Sequence, residues 1–177
     1  MNYSHFQHRH NFAVWCAARA VQRKFAKTPV LKEALENSGV AEFVSQNEDK
    51  TISQKDFDKL HADWCDSILQ TWKNKNVNGS SYGRAAKLIA VYIKSMTIVR
   101  NGQSSLSEAA HPPIDRMILH NISKDKAITH PNRLKWKAVN WTELEKIEYL
   151  NLINDFRKVF HGKPFWHLEQ YWPITNE

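Results

Sequence analysis

Glycine and proline are both scarce in this 177-residue chain, at 5 and 6. A many-stranded sandwich or barrel needs more turn formers than that. The two cysteines, Cys16 and Cys65, are too few for a disulfide framework, and a reducing cytoplasm is the simplest setting for them. No run of about 18 apolar residues occurs, so no membrane partner is expected. The first residues are polar and histidine-rich, without the apolar stretch of a secretory signal. Cys-x-x-Cys, His-Glu-x-x-His, Gly-x-Ser-x-Gly and glycine-rich phosphate loops are all missing. Most familiar enzyme classes therefore gain no support, and nothing calls for a cofactor.

What is present is an ordinary globular composition, 42% hydrophobic and 24% charged, long enough for one domain. Tryptophan is abundant at 7 residues, and each indole brings a large area to bury. Lys+Arg number 25 against 18 Asp+Glu, giving a net charge of +7. That charge is uneven. Before the first acid, Glu33, stand Arg9, Arg19, Arg23, Lys24, Lys27 and Lys32. The acid-free stretch 67–107 carries Lys73, Lys75, Arg84, Lys87, Lys94 and Arg100. In 116–137, Asp125 alone faces Arg116, Lys124, Lys126, Arg133, Lys135 and Lys137. Segregation of this kind produces a positive face suited to DNA or another nucleic acid. Its alternative is a set of ordinary solvated helix faces.

Hydrophobic spacing predicts helices throughout. Phe12, Trp15, Cys16 and Arg19 follow helical steps in a first helix, 12–25, with Asn11 as its cap. Thr28-Pro29 opens a short second helix ended by Ser38-Gly39. Ser53 caps a third, reaching Lys75, with the stripe Phe57, Leu60, Trp64, Ile68 and Trp72. A fourth spans 83–97. The stretch 101–110 reads as a loop, 113–122 as a helix started by Pro113, and 123–139 as irregular. Thr142 to Glu145 reads as a capping box opening a helix that Gly162 ends, and 164–172 as a last short helix. No period-two strands or fixed repeats appear. The expected fold is all-α, a single compact multi-helix domain over 1–177. The alternative boundary, at 101–110, would divide two helical lobes.

One constellation stands out. Asn78-Gly79-Ser80-Ser81-Tyr82-Gly83-Arg84 is a polar turn feeding a basic, alanine-rich helix, and His111-Pro112-Pro113-Ile114-Asp115 follows it. The order resembles the helix-hairpin-helix DNA glycosylase superfamily. In that family a Gly-hydrophobic-Gly hairpin holds a DNA phosphate, and a Pro-hydrophobic-Asp segment carries the catalytic aspartate. The resemblance covers about 78–122. It implies a helix-hairpin-helix element, DNA repair by base excision, a hairpin turn at Tyr82-Gly83, Asp115 as catalytic carboxylate, and Lys87 or Lys94 as nucleophile. Ser81 stands where the first hairpin glycine is expected, and Ala85 where many bifunctional members place their lysine. A lysine attacks only as the neutral amine, and Arg84 is the cationic neighbour at helical spacing.

The wider nucleic-acid face is expected to include Arg19, Arg23, Arg84, Arg116, Lys135, Trp136 and Lys137, with Trp136 and Trp141 among cations as base-stacking rings. Asp115 has a plainer role open to it, as the carboxylate at a helix start. The rival function is a non-enzymatic helical interaction module with an acidic protein partner, anchored by Trp136 and Trp141. A third is a small metal hydrolase using His5, His8 and His10, although that spacing matches no common metal motif. No metal is expected.

Overall fold

The structure is a computed structural model that describes residues 3–22, 25–48 and 50–173. Arg23, expected on the nucleic-acid face, lies outside the described residues. The fold is all-α, as composition and spacing predict, with no strand among the described residues. In chain order the helices are α1 (His5–Gln22), α2 (Thr28–Asn37), α3 (Val40–Asn47), α4 (Gln54–Asn74) and α5 (Tyr82–Ile93). A π turn, Lys94–Ile98, continues α5. Then come α6 (Ser105–Ala109), α7 (Arg116–Ile122), α8 (His130–Lys137), α9 (Lys146–Val159) and a closing 3₁₀ helix, Phe165–Tyr171. No described helix is long and apolar enough to cross a membrane.

Helix α5 is the axis of the molecule. Ala85, Ala86, Leu88, Ile89, Ala90 and Tyr92 are all buried, and α1, α4 and α9 pack around it. Helix α1 makes the most extensive of these contacts, and its Ala13, Ala17 and Ala18 are fully buried. Helix α4 buries Phe57, Trp64, Ile68 and Trp72 at steps of seven, four and four, and its Ser53 cap accepts the Asp56 N–H. Buried side chains from α1 to the closing 3₁₀ helix form one continuous cluster. In that closing helix Phe165 and Leu168 turn inward, so the C-terminal aromatic stretch is a core anchor.

Several element boundaries differ from expectation. Helix α1 begins at His5, so Asn11 is an exposed mid-helix residue and not its cap. The stretches read as a loop and as irregular contain α6 and α8. The box that opens α9 lies at Glu145 and Glu148, because the Thr142 hydroxyl is spent on Asn140 Oδ1 at 2.8 Å. Helix α7 starts after Asp115, not at Pro113, and Asp115 is its cap.

Candidate functional site

The site begins with a glycine. A Cβ on Gly83 would lie 2.1 Å from the Trp141 carbonyl oxygen, and the Gly83 N–H donates to Leu144 O at 3.0 Å. Segment 141–144 is thereby seated on the first turn of α5, and the Trp141 indole lies along the next turn. Arg84 and Lys87, three residues apart and so on one face, meet that indole. The Lys87 ammonium stands 4.4 Å from an indole centroid of Trp141. The Arg84 guanidinium lies 4.5 Å from the Phe25 ring and 5.8 Å from Trp141. It also reaches back to Val21 O at the end of α1, at 3.4 Å. Burial draws Arg84 below its ordinary value while Glu143 pulls the other way. The ordinary arginine value is high enough that the group stays charged.

Lys87 is an ammonium on the most buried helix of the fold, and a buried charge needs a counter-charge. Asp115 supplies it. Its Oδ2 stands 3.1 Å from Lys87 Nζ, with the two side chains 9% and 16% exposed. Its Oδ1 accepts the Ile118 N–H at 2.9 Å and so caps α7. Two residues 28 apart in sequence, each singled out from the resemblance, are therefore in direct contact. The contact is an ion pair, and Lys87's charged neighbour in it is the carboxylate and not Arg84.

The other expected site residues fare differently. Lys94 belongs to another place, ion-paired with Glu169 and 5.1 Å from the Trp172 ring. Tyr82 is buried, its ring 5.3 Å from Tyr149, and the Gly83 N–H is consumed by Leu144 O, so this turn has no free donor at Gly83 for a phosphate. Trp136 is fully buried, 4.8 Å edge-on to Phe156 and 6.3 Å from Phe160; it is a core anchor, not a stacking surface or a docking anchor. Lys135 is exposed and paired with Asp155. Arg19, Arg116 and Lys137 are exposed. Of the histidines, His10 turns inward to the Tyr92 hydroxyl at 2.9 Å and Glu36 at 3.2 Å. Among the described residues no three His, Cys, Asp or Glu side chains converge as metal ligands.

A second polar cluster has no counterpart in the sequence reading. His111 lies between Asp58 of α4 and Tyr149 of α9, with Nε2 2.9 Å from Asp58 Oδ1 and Nδ1 3.2 Å from the Tyr149 hydroxyl. A carboxylate only accepts, so Nε2 carries the proton, and the neutral ring takes the Tyr149 O–H at Nδ1. Asp58 Oδ1 also accepts from Arg157 at 2.6 Å and Gln54 at 3.0 Å. Burial works to raise the Asp58 carboxyl, but the hydrogen bonds from His111 and Arg157 outweigh it and leave the group far below its usual range. Burial lowers His111, and lowers His61 further, the two rings lying 4.3 Å apart. Beside the cluster is a 420 Å³ cavity whose lining includes Arg157, Gln54, Phe160 and Phe165. The only sequence signal was His111-Pro112-Pro113, which reads equally well as a loop stop.

No protein family, curated protein or solved structure matches this chain.

Proposed function

We propose that the chain is a nucleic-acid-binding helical protein and that Lys87 and Asp115 form a base-excision centre. The observation that carries this reading is the Lys87 ammonium held between the Asp115 carboxylate and the Trp141 indole, with Arg84 beside it. Excision at a sugar's anomeric carbon needs a nucleophile, a carboxylate that handles its proton, and a ring to receive the displaced base. Lys87 touches both of the other two groups, and Arg84 and the exposed Arg116 supply cations for the flanking phosphates.

The chemistry follows from the pair. Lys87 Nζ passes one proton to Asp115 and its lone pair bonds to the anomeric carbon. The base leaves with the electrons of the broken C–N bond and takes that proton from Asp115. A covalent lysine–sugar adduct remains; one proton of its nitrogen moves to the ring oxygen as the bond between that oxygen and the anomeric carbon breaks, and the nitrogen lone pair closes a protonated imine. Borohydride traps such an imine.

The test combines binding and trapping. Wild-type protein is titrated into labelled duplex and single-stranded DNA across a salt series, with log affinity expected to fall steeply against log salt. Arg84→Ala should weaken binding to every sequence and lower that slope by about one. Asp115→Asn should bind DNA almost as wild type does yet give no borohydride-trapped adduct on damaged-base DNA. Flat, weak binding at low salt overturns the whole reading. Salt-sensitive binding with no adduct from the wild type overturns the excision centre alone.

A further inference from the structure

The face of α1 turned away from the core has no role in the Lys87–Asp115 pair. Ala13, Val14, Ala17, Ala18 and Val21 form the inward side of this helix. His8, Phe12, Trp15 and Arg19 follow one another at steps of four, three and four, which places them on one outward stripe. Phe12 is 58% and Trp15 55% exposed, and their rings stack 6.2 Å apart with 28° between planes. Large aromatics are ordinarily buried, so two neighbouring rings left in water on one stripe form a surface in need of a function.

The charge around the stripe selects its occupant. Helix α1 contains no Asp or Glu, and the first acid in the chain is Glu33. Arg19 closes the stripe in the last turn of α1, and the Val21 carbonyl that Arg84 reaches lies in that same turn. Arg19 thus adds a cation at the C-terminal end of the ring pair. An apolar partner surface would leave the Arg19 cation without a counterpart, and an acidic one would not require two stacked rings. A polyanion whose repeating unit carries a flat π-face uses both.

We infer that the Phe12–Trp15 stripe is a stacking platform for the bases of single-stranded nucleic acid, with Arg19 on the backbone. This inference rests on the nucleic-acid reading above and names the strand form it concerns. Rings of this kind accept any base, so little sequence preference is expected at the stripe.

The experiment measures anisotropy of a labelled single-stranded oligonucleotide and of a duplex of the same sequence. It compares the wild type with Phe12→Ala, Trp15→Ala and Arg19→Ala. These side chains are exposed, and circular dichroism melts should match the wild type. Each aromatic truncation is expected to weaken single-strand binding about 5- to 150-fold while leaving duplex binding and the salt slope unchanged. Arg19→Ala should instead lower the single-strand salt slope by about 0.7. If the wild type binds strands and the aromatic variants bind equally well, the platform is overturned while the nucleic-acid reading survives. If the wild type binds no nucleic acid, both fail. Sedimentation of the wild type and Trp15→Ala gives a further check: a dimer lost in the variant assigns the stripe to a second copy of this chain and overturns the platform.

Discussion

At Gly83 two effects of a single methyl group oppose each other. Alanine is the better helix former by about 1 kcal/mol, so Gly83→Ala would stabilise an isolated α5. The added Cβ, however, would meet the Trp141 carbonyl at 2.1 Å, and both groups belong to main chain that cannot swing aside. The 141–144 segment must lift, losing the Gly83 N–H bond to Leu144 O and drawing the Trp141 indole away from Lys87. Overpacking of this kind typically costs about 1–3 kcal/mol, which exceeds the propensity gain. Urea unfolding of Gly83→Ala should therefore show a lower midpoint with an unchanged slope, and a raised midpoint would mean that the two segments do not abut. The sequence marks this glycine as unusual but not why. The family resemblance makes it a hairpin-turn residue, whereas the reason for it is a carbonyl 58 positions further along, an approach that no local pattern encodes. Trp136 fails for the same reason. Cations flank it in sequence, yet its ring points away from them into Phe156 and Phe160.

Among the helices, the long amphipathic ones were legible and the short ones were not. Helix α4 has a five-residue stripe and a serine cap, and both signals lie within its own sequence. Helices α6 and α8 are too short to stand without tertiary support, so periodicity has little to register. Helix α7 is the instructive case, since its cap is also the partner of a lysine on α5. Asp115 serves two elements with two oxygens, and substitutions separate the roles. Asn keeps a capping oxygen but loses the charge facing Lys87; Ala loses both. Asp115→Ala should thus be less stable than Asp115→Asn by about 1 kcal/mol, the usual worth of a cap. Both should fall below the wild type, because each leaves the Lys87 ammonium without its carboxylate. Replacing Lys87 by Met in the Asp115→Asn background should recover part of that shared loss. Thermal melts of the four proteins decide this, and equal stability for the Ala and Asn variants would remove the capping role.

Across the whole molecule, α4, the 111–115 linker and α9 are joined by the cluster of His61, His111, Asp58, Arg157 and Tyr149, and its titration couples the fold to pH. Burial holds both histidines below their ordinary value near 6.5 and pushes the Tyr149 hydroxyl up, so at neutral pH the interior holds neutral rings around the Asp58–Arg157 pair. The neighbouring Cys65 thiol and Tyr82 hydroxyl are raised by burial as well and stay neutral across this range. In the unfolded chain both histidines take up protons as pH falls through 6.5, while in the folded protein they resist. The unfolded state then holds more protons, and stability declines on acidification by at most about 1.4 kcal/mol per pH unit for each histidine. Asp58, whose folded value is depressed, loses its contribution only below the ordinary carboxylate range near 3.9, well outside this window. Urea unfolding at pH 7.5 and 5.5 should accordingly give a lower free energy at 5.5, with a steeper loss between 6.5 and 5.5 than between 7.5 and 6.5. His61→Leu removes one of the two resisting groups and replaces it with a side chain that suits its apolar surroundings. The variant should keep its fold and lose about half of the pH dependence. Equal slopes for the wild type and His61→Leu would place the proton uptake elsewhere, and a flat wild-type profile would mean that neither buried histidine stays neutral through folding.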